Sequence, residues 1–229
     1  MKKSPEGIFS KVRPFPGRTT KPLVRALTAA ALGAFLVVHG AAREGSSAAV
    51  DPAAQAAAKS LEAKMQILES NDAQPSYPAV VITAYEANSY LKVHSGDSFP
   101  LGVHNPSLSA EPEHAMASAD VDFDELSRSY PNPNDMGPKI LAAMFHGMQH
   151  VTVTANIQSE TAGFLVQIER VVVGSTTLPS WLVNYVIQNV LQPRYHFDLS
   201  KPLPYPDHVT QIVLGSGQVT FLRGPKGGR

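Results

Sequence analysis

Along this chain the apolar residues pass from a helical stripe to strict alternation, and then to a stretch without charge. In residues 51–70, Ala54, Ala57, Ala58, Leu61, Met65 and Leu68 recur at i, i+3, i+4 and i+7, one narrow stripe of a helix. Asp51-Pro52 supplies its start, because Asp caps free N–H groups and Pro loses nothing at the first helical position. Such a stripe predicts packing on another element or pairing with a partner helix. Asn71 to Pro78 breaks the pattern. Ala79 to Ile82 predicts a short strand, and Thr83-Ala84-Tyr85-Glu86 has the spacing of a capping box. A helix of about two or three turns is expected from there through Asn88, Tyr90 and Leu91, ending before Ser95-Gly96.

The period then drops to two. Ala115, Ala117, Ala119, Val121 and Phe123 alternate with polar or small partners, which predicts a strand with one buried face. Val151, Val153, Ala155 and Ile157 alternate with Thr152, Thr154, Asn156 and Gln158, and Phe164, Val166 and Ile168 resume after a turn at Ser159 to Gly163. Residues 150–170 therefore read as an antiparallel hairpin. Val171-Val172-Val173 breaks the alternation and predicts a bulge or burial on both faces. A helix is expected from about Pro138 to Phe145, after a Pro/Asn-rich loop at Tyr130 to Pro138. A last hairpin is expected from Val209 to Leu222, turning at Gly215-Ser216-Gly217.

Ser180 to Pro193 contains no charged residue. On a helix, Leu182, Val183, Val186, Ile187, Val190 and Leu191 would cover about half the circumference, more than the roughly 100° stripe of a surface helix. Asn184, Gln188, Asn189 and Gln192 take the rest, beside Trp181 and Tyr185. The expectation is a long helix that is apolar on more than one side. It is either a central core helix or the wall of a lipid-sized groove.

Charge changes the picture at the N-terminus. Lys plus Arg equals Asp plus Glu, 19 each, yet residues 1–42 hold seven basic residues and one acid, leaving the remainder at −6. Ala26 to Val38 is apolar apart from Thr28, too short for the ~20 residues that span a bilayer, and Gly40, Ala41 and Ala42 follow. A basic start, a short apolar run and small residues match a secretory signal peptide; an uncleaved transmembrane anchor through residues 26–38 is the other reading. Either delivers residues 43–229 across a membrane, to a bacterial periplasm or to its inner-membrane face. The organisation expected is an export segment (1–42), a linker with an N-terminal amphipathic helix (43–74), one α+β domain (75–223) and a tail (224–229). An acidic body argues against nucleic acid as a partner. The chain has no cysteine, which excludes disulfides, thiol catalysis and zinc–thiolate sites.

Candidate chemistry is thin. His146 and His150 stand four apart, a spacing that can present two imidazoles to a metal, but Gly147 occupies the place where a metalloprotease needs Glu. Asp120-Val121-Asp122-Phe123-Asp124 opens like a calcium loop, but Glu125 stands where that loop needs glycine. Ser216 lies between adjacent glycines, whereas a nucleophile elbow wants them two residues away on each side. No metal, cofactor or catalytic residue is therefore expected, and a hydrolase or metal enzyme ranks behind the binding readings.

The order of these elements resembles the small exported bacterial proteins of the tubular lipid-binding superfamily, such as the YceB-like and YpmS-like proteins. The residues that carry the resemblance are the capped T-x-x-E-A-N-S-Y-L helix at Thr83, the alternating strands, the P-S-W-L-V-N-Y-V-I-Q-N-V-L helix, a Tyr195–Leu199 strand and a terminal G-x-V-T-F strand. It covers most of residues 75–223, and departs from the YceB-like lipoproteins in lacking a lipidated cysteine. The resemblance implies a curved antiparallel sheet wrapped around a long helix, with an apolar groove between them. Leu182, Val183, Val186, Ile187 and Val190 would line it, opposite Val153, Ile157, Val166 and Ile168. The function expected is an exported, non-enzymatic protein holding a lipid or another hydrophobic small molecule. The alternative is a structural or protein-interaction module of the cell envelope with a filled core, taking an envelope protein through the 51–70 helix or a sheet edge.

Overall fold

The computed structural model describes residues 51–69, 78–99, 101–128, 136–161, 163–192, 198–206 and 208–224. In chain order these form α1 (Pro52–Glu69), β1 (Ala79–Thr83), α2 (Ala84–Ser98), β2 (Val103–Glu111), β3 (His114–Asp122), α3 (Phe123–Arg128) and α4 (Met136–Met144). Then come β4 (Met148–Glu160), β5 (Gly163–Val173), β6 (Thr176–Thr177), α5 (Ser180–Val186) with a π-helical turn (Ile187–Leu191), β7 (Val209–Gly215) and β8 (Gln218–Arg223). The class is α+β, with two antiparallel sheets ordered β1-β8-β7 and β2-β3-β4-β5-β6. The expected export segment 1–42, the linker 43–50 and the tail from 225 lie outside the described residues. Among the described residues, no helix is long and apolar enough to cross a membrane.

Helix α1 starts as its sequence directs, with Asp51 Oδ1 accepting from the Ala53 N–H at 3.1 Å. Its stripe of Ala54, Ala57, Ala58, Leu61 and Leu68 is buried. Leu61 and Leu68 join Val80, Ile82, Val209 and Phe221 in one cluster, with Met65 against it, so α1 packs on the three-stranded sheet. Burying a leucine contributes roughly 1.5–3 kcal/mol. Of the two readings of this stripe, the structure shows packing on another element, and the stripe is already covered. A partner taken by α1 must use the opposite side, where Gln55, Ala56, Lys59, Ala63 and Gln66 are exposed.

The capping box predicted at Thr83 is present, but α2 continues to Ser98 instead of ending before Ser95. The predicted hairpins are present as β4–β5 and β7–β8. The break in alternation also has its explanation. Thr154 pairs with Arg170 and Ala155 with Ile168, so Glu169 is the extra residue of a bulge. Val171 and Val173 lie on one side of it and Ile168, Val166 and Phe164 on the other. The inserted residue reverses the parity, and all five face the interior. Gly163 opens β5 because Leu203 pairs across Phe164, and a Cβ at 163 would overlap the Leu203 carbonyl.

Three expectations are corrected. The long helix over residues 180–193 is not seen: a seven-residue α-helix passes into a π-turn, and no single sheet wraps around it. Two sheets form because β1 pairs with β8, from the far end of the chain, and α2 separates it from β2. Second, Phe123 does not end a strand but starts α3, which Asp122 caps by accepting from the N–H groups of Asp124 and Glu125, each at 3.0 Å. Third, Asp198 and Leu199 lie in no strand, and 195–197 fall outside the described residues. Strand β2 has no counterpart in the apolar pattern, since it holds Pro106 and a single buried residue, Ala110.

Candidate functional site

The nine residues expected to line a groove divide into two clusters. Leu182, Ile187 and Val153 are buried in one core on the inner face of the five-stranded sheet, and Val183, Val186 and Ile168 pack against it half-buried. Val166 is buried in the neighbouring cluster with Ala155, Phe164 and Leu203, and Ile157 packs against that one. The side chain of Val190 lies outside the described residues. Leu182 is 0% exposed, Val166 2% and Val153 4%, so no water-sized space touches them to any extent. Leu91, Phe99, Phe123, Leu126, Leu141 and Leu178 supply the surrounding atoms. The other end of the same face is closed by Tyr205 and by Ile212 of β7. There Ser159 Oγ donates to the Ile212 carbonyl at 2.6 Å and accepts from the Ile212 N–H at 3.0 Å.

Leu182 and Ile187 face the core, while Asn184, Gln188 and Asn189 are exposed. Trp181 is exposed as well, at 67%. The π-turn adds one residue to the helical repeat. Asn189 Nδ2 donates to the Tyr185 carbonyl at 2.9 Å, so a side chain partners backbone at the place where α5 gives way to the π-turn.

The strongest polar site lies elsewhere, at the start of α2. Glu86 is buried, and its carboxylate accepts from Lys64 Nζ at 2.6 and 2.8 Å, from Ser60 Oγ at 2.6 Å and from the Thr83 N–H at 2.9 Å. Burial alone would raise this carboxyl, but the Lys64 ammonium, the Ser60 hydroxyl and the Thr83 donors more than reverse that and hold it at about 2. Two residues on, Asn88 Nδ2 donates to the Leu108 carbonyl at 2.9 Å while Oδ1 accepts from the Leu108 N–H at 2.6 Å. The short motif Thr83-x-x-Glu86-x-Asn88 thus ties α1 to α2 and α2 to the edge of β2. Sequence spacing revealed the cap. Ser60, Lys64 and Leu108 carry no signal that could have pointed to it.

The histidine pair and the acidic run, each considered alone in the sequence, face one another. His150 Nδ1 lies 2.9 Å from Asp120 Oδ1, and His146 Nδ1 lies 3.6 Å from Asp124 Oδ1. Asn105 Nδ2 donates to the other Asp120 oxygen at 3.0 Å, and these hydrogen bonds hold that carboxyl below its usual range. Asp124 also accepts from the Gly147 N–H at 3.0 Å. Each histidine thus pairs with its own carboxylate, and among the described residues no three His, Cys, Asp or Glu gather as a metal site. The arrangement joins β4 and the loop before it to β3 and α3. Ser216 sits in the two-residue β7–β8 turn, where Gly217 adopts φ +70. No protein-family model matches the chain, and no curated protein does.

Proposed function

We propose that this protein is a non-enzymatic interaction module of the cell envelope whose interior is filled by its own side chains. The observation that carries this reading is the burial of Leu182, Val153 and Val166 among other residues of the chain. A ligand groove needs concave apolar surface left open to a guest, and these positions present none. Export remains an expectation from residues 1–42. The sites that the sequence offered for chemistry also have structural roles: Asp120 and Asp124 hold His150 and His146, and Asp122 caps α3.

A second reading, a carrier of a lipid or another apolar small molecule, draws support from Val183, Val186, Ile157 and Ile168, which are only half-buried. Native mass spectrometry of the full chain, with a fluorescent fatty acid as probe, separates the two. The module should be recovered at its bare mass and take up no probe saturably. A stoichiometric apolar adduct, lost when Val186→Asp is introduced, would replace the module with the carrier.

A further inference from the structure

We propose that the outer side of α5, centred on Trp181, is a contact surface for a lipid bilayer, with the indole ring at the depth of the headgroups. Trp181 is the sole tryptophan of the chain and the most exposed of its large apolar side chains among the described residues. It is not exposed by fraying. Leu182, the next residue, is fully buried, and Leu178 before it is buried in the same core. The helix is therefore fixed with its indole outward. An indole has an apolar body and one N–H donor, which suits the boundary between acyl chains and water.

The surroundings of the ring decide the kind of partner. Ser180 to Gln192 carries no charge, and among the described side chains the exposed neighbours along it are Ser180, Asn184, Gln188 and Asn189. Neutral amides and hydroxyls enter the headgroup layer at a far smaller desolvation penalty than carboxylates or ammonium groups. The rest of the body is acidic, with a net charge of −6 over residues 43–229, and is repelled by anionic lipid. An anionic bilayer is thus approached more readily through a neutral face than through an acidic one. The other end of the chain has the complementary character, with seven basic residues in 1–25 followed by the apolar run 26–38. Basic residues and apolar surface act together in membrane attachment, since one weak contact alone holds only transiently. The proposal is independent of whether the interior of the module is filled or carries a guest.

Because Trp181 is the only tryptophan, its fluorescence reports this surface without a label. The full chain is mixed with vesicles of phosphatidylcholine and phosphatidylglycerol. The expected result is emission moved to shorter wavelength, protection from aqueous iodide, and quenching by lipids brominated near the headgroup. Trp181→Ser should weaken vesicle binding by about fivefold or more, and Trp181→Phe by less, as expected from the apolar area lost. The proposal is overturned if the chain sediments with vesicles while Trp181 stays open to iodide, or if it does not sediment at all. A blue shift that requires another protein and not lipid would equally overturn it, and would assign the face to a protein partner.

Discussion

Around the three-stranded sheet, α1 and α2 meet through a buried carboxylate with four donors, and apolar packing fills in around it. On the five-stranded sheet, α5 and its π-turn are held by Leu182 and Ile187 with the half-buried Val183 and Val186, by apolar contact. The first arrangement fixes geometry, because each hydrogen bond to Glu86 has a direction and each one lost leaves a buried charge less well compensated. The second fixes only burial. The capped helix α2 is regular over fifteen residues, whereas the uncharged one changes its repeat after seven.

Several substitutions would break or sharpen this contrast. The largest effect is expected from Phe221→Ala, which empties the centre of the cluster shared by α1 and the three-stranded sheet. Urea unfolding should show a loss of about 3–5 kcal/mol. Leu182→Ala should cost about 3 kcal/mol by the same measurement, and a loss below about 1 kcal/mol would mean that α5 is not anchored by burial. Glu86→Gln comes next, at about 2 kcal/mol near neutral pH once screening by nearby solvent is allowed for.

The pH dependence separates the two regions more sharply than the magnitudes do. Glu86 has its carboxyl lowered in the folded state to about 2, so its contribution is present above the ordinary carboxyl value of 4.5 and is lost as pH falls toward about 2. Wild type and Leu182→Ala should both lose this stability over that window. Glu86→Gln should lack that part of the acid-induced loss, and an unchanged acid profile in this variant would show that the buried carboxylate is not the group responsible. The smallest effect is expected for Asn88→Ala, about 1–2 kcal/mol, with faster amide exchange at Leu108 as its local signature. Equal protection of Leu108 in variant and wild type would show that Asn88 does not secure the edge of β2.

Much of the local structure could be read from the chain because its causes are local. The cap at Asp51, the box at Thr83–Glu86, the β4 alternation and the Gly215–Gly217 turn each depend on residues within a few positions of one another. The candidate site could not be read in the same way. Which side of a charge-free helix meets the core depends on where the five-stranded sheet lies, and Leu182 and Trp181 are neighbours with opposite fates. Strand β2 was hidden because Ala110 is its one buried residue, and what holds it is pairing with β3 and the amide of Asn88, 20 residues earlier. The pairing of two motifs, Asp120 and Asp124 with His150 and His146, depends on the register of β3 against β4.

The sequence by itself determined where α1 and α2 start, where β3 and β4 alternate, and that the N-terminal region is basic while the rest is acidic. These follow from backbone capping, side-chain period and charge, which act over a turn or two of chain. Tertiary structure alone decided that β1 pairs with β8, that the α1 stripe is covered from within, that Glu86 receives Ser60 and Lys64, and that Trp181 is left facing outward. Those outcomes depend on contacts between residues far apart in the chain, where burial of one face excludes another and only the assembled core selects between them.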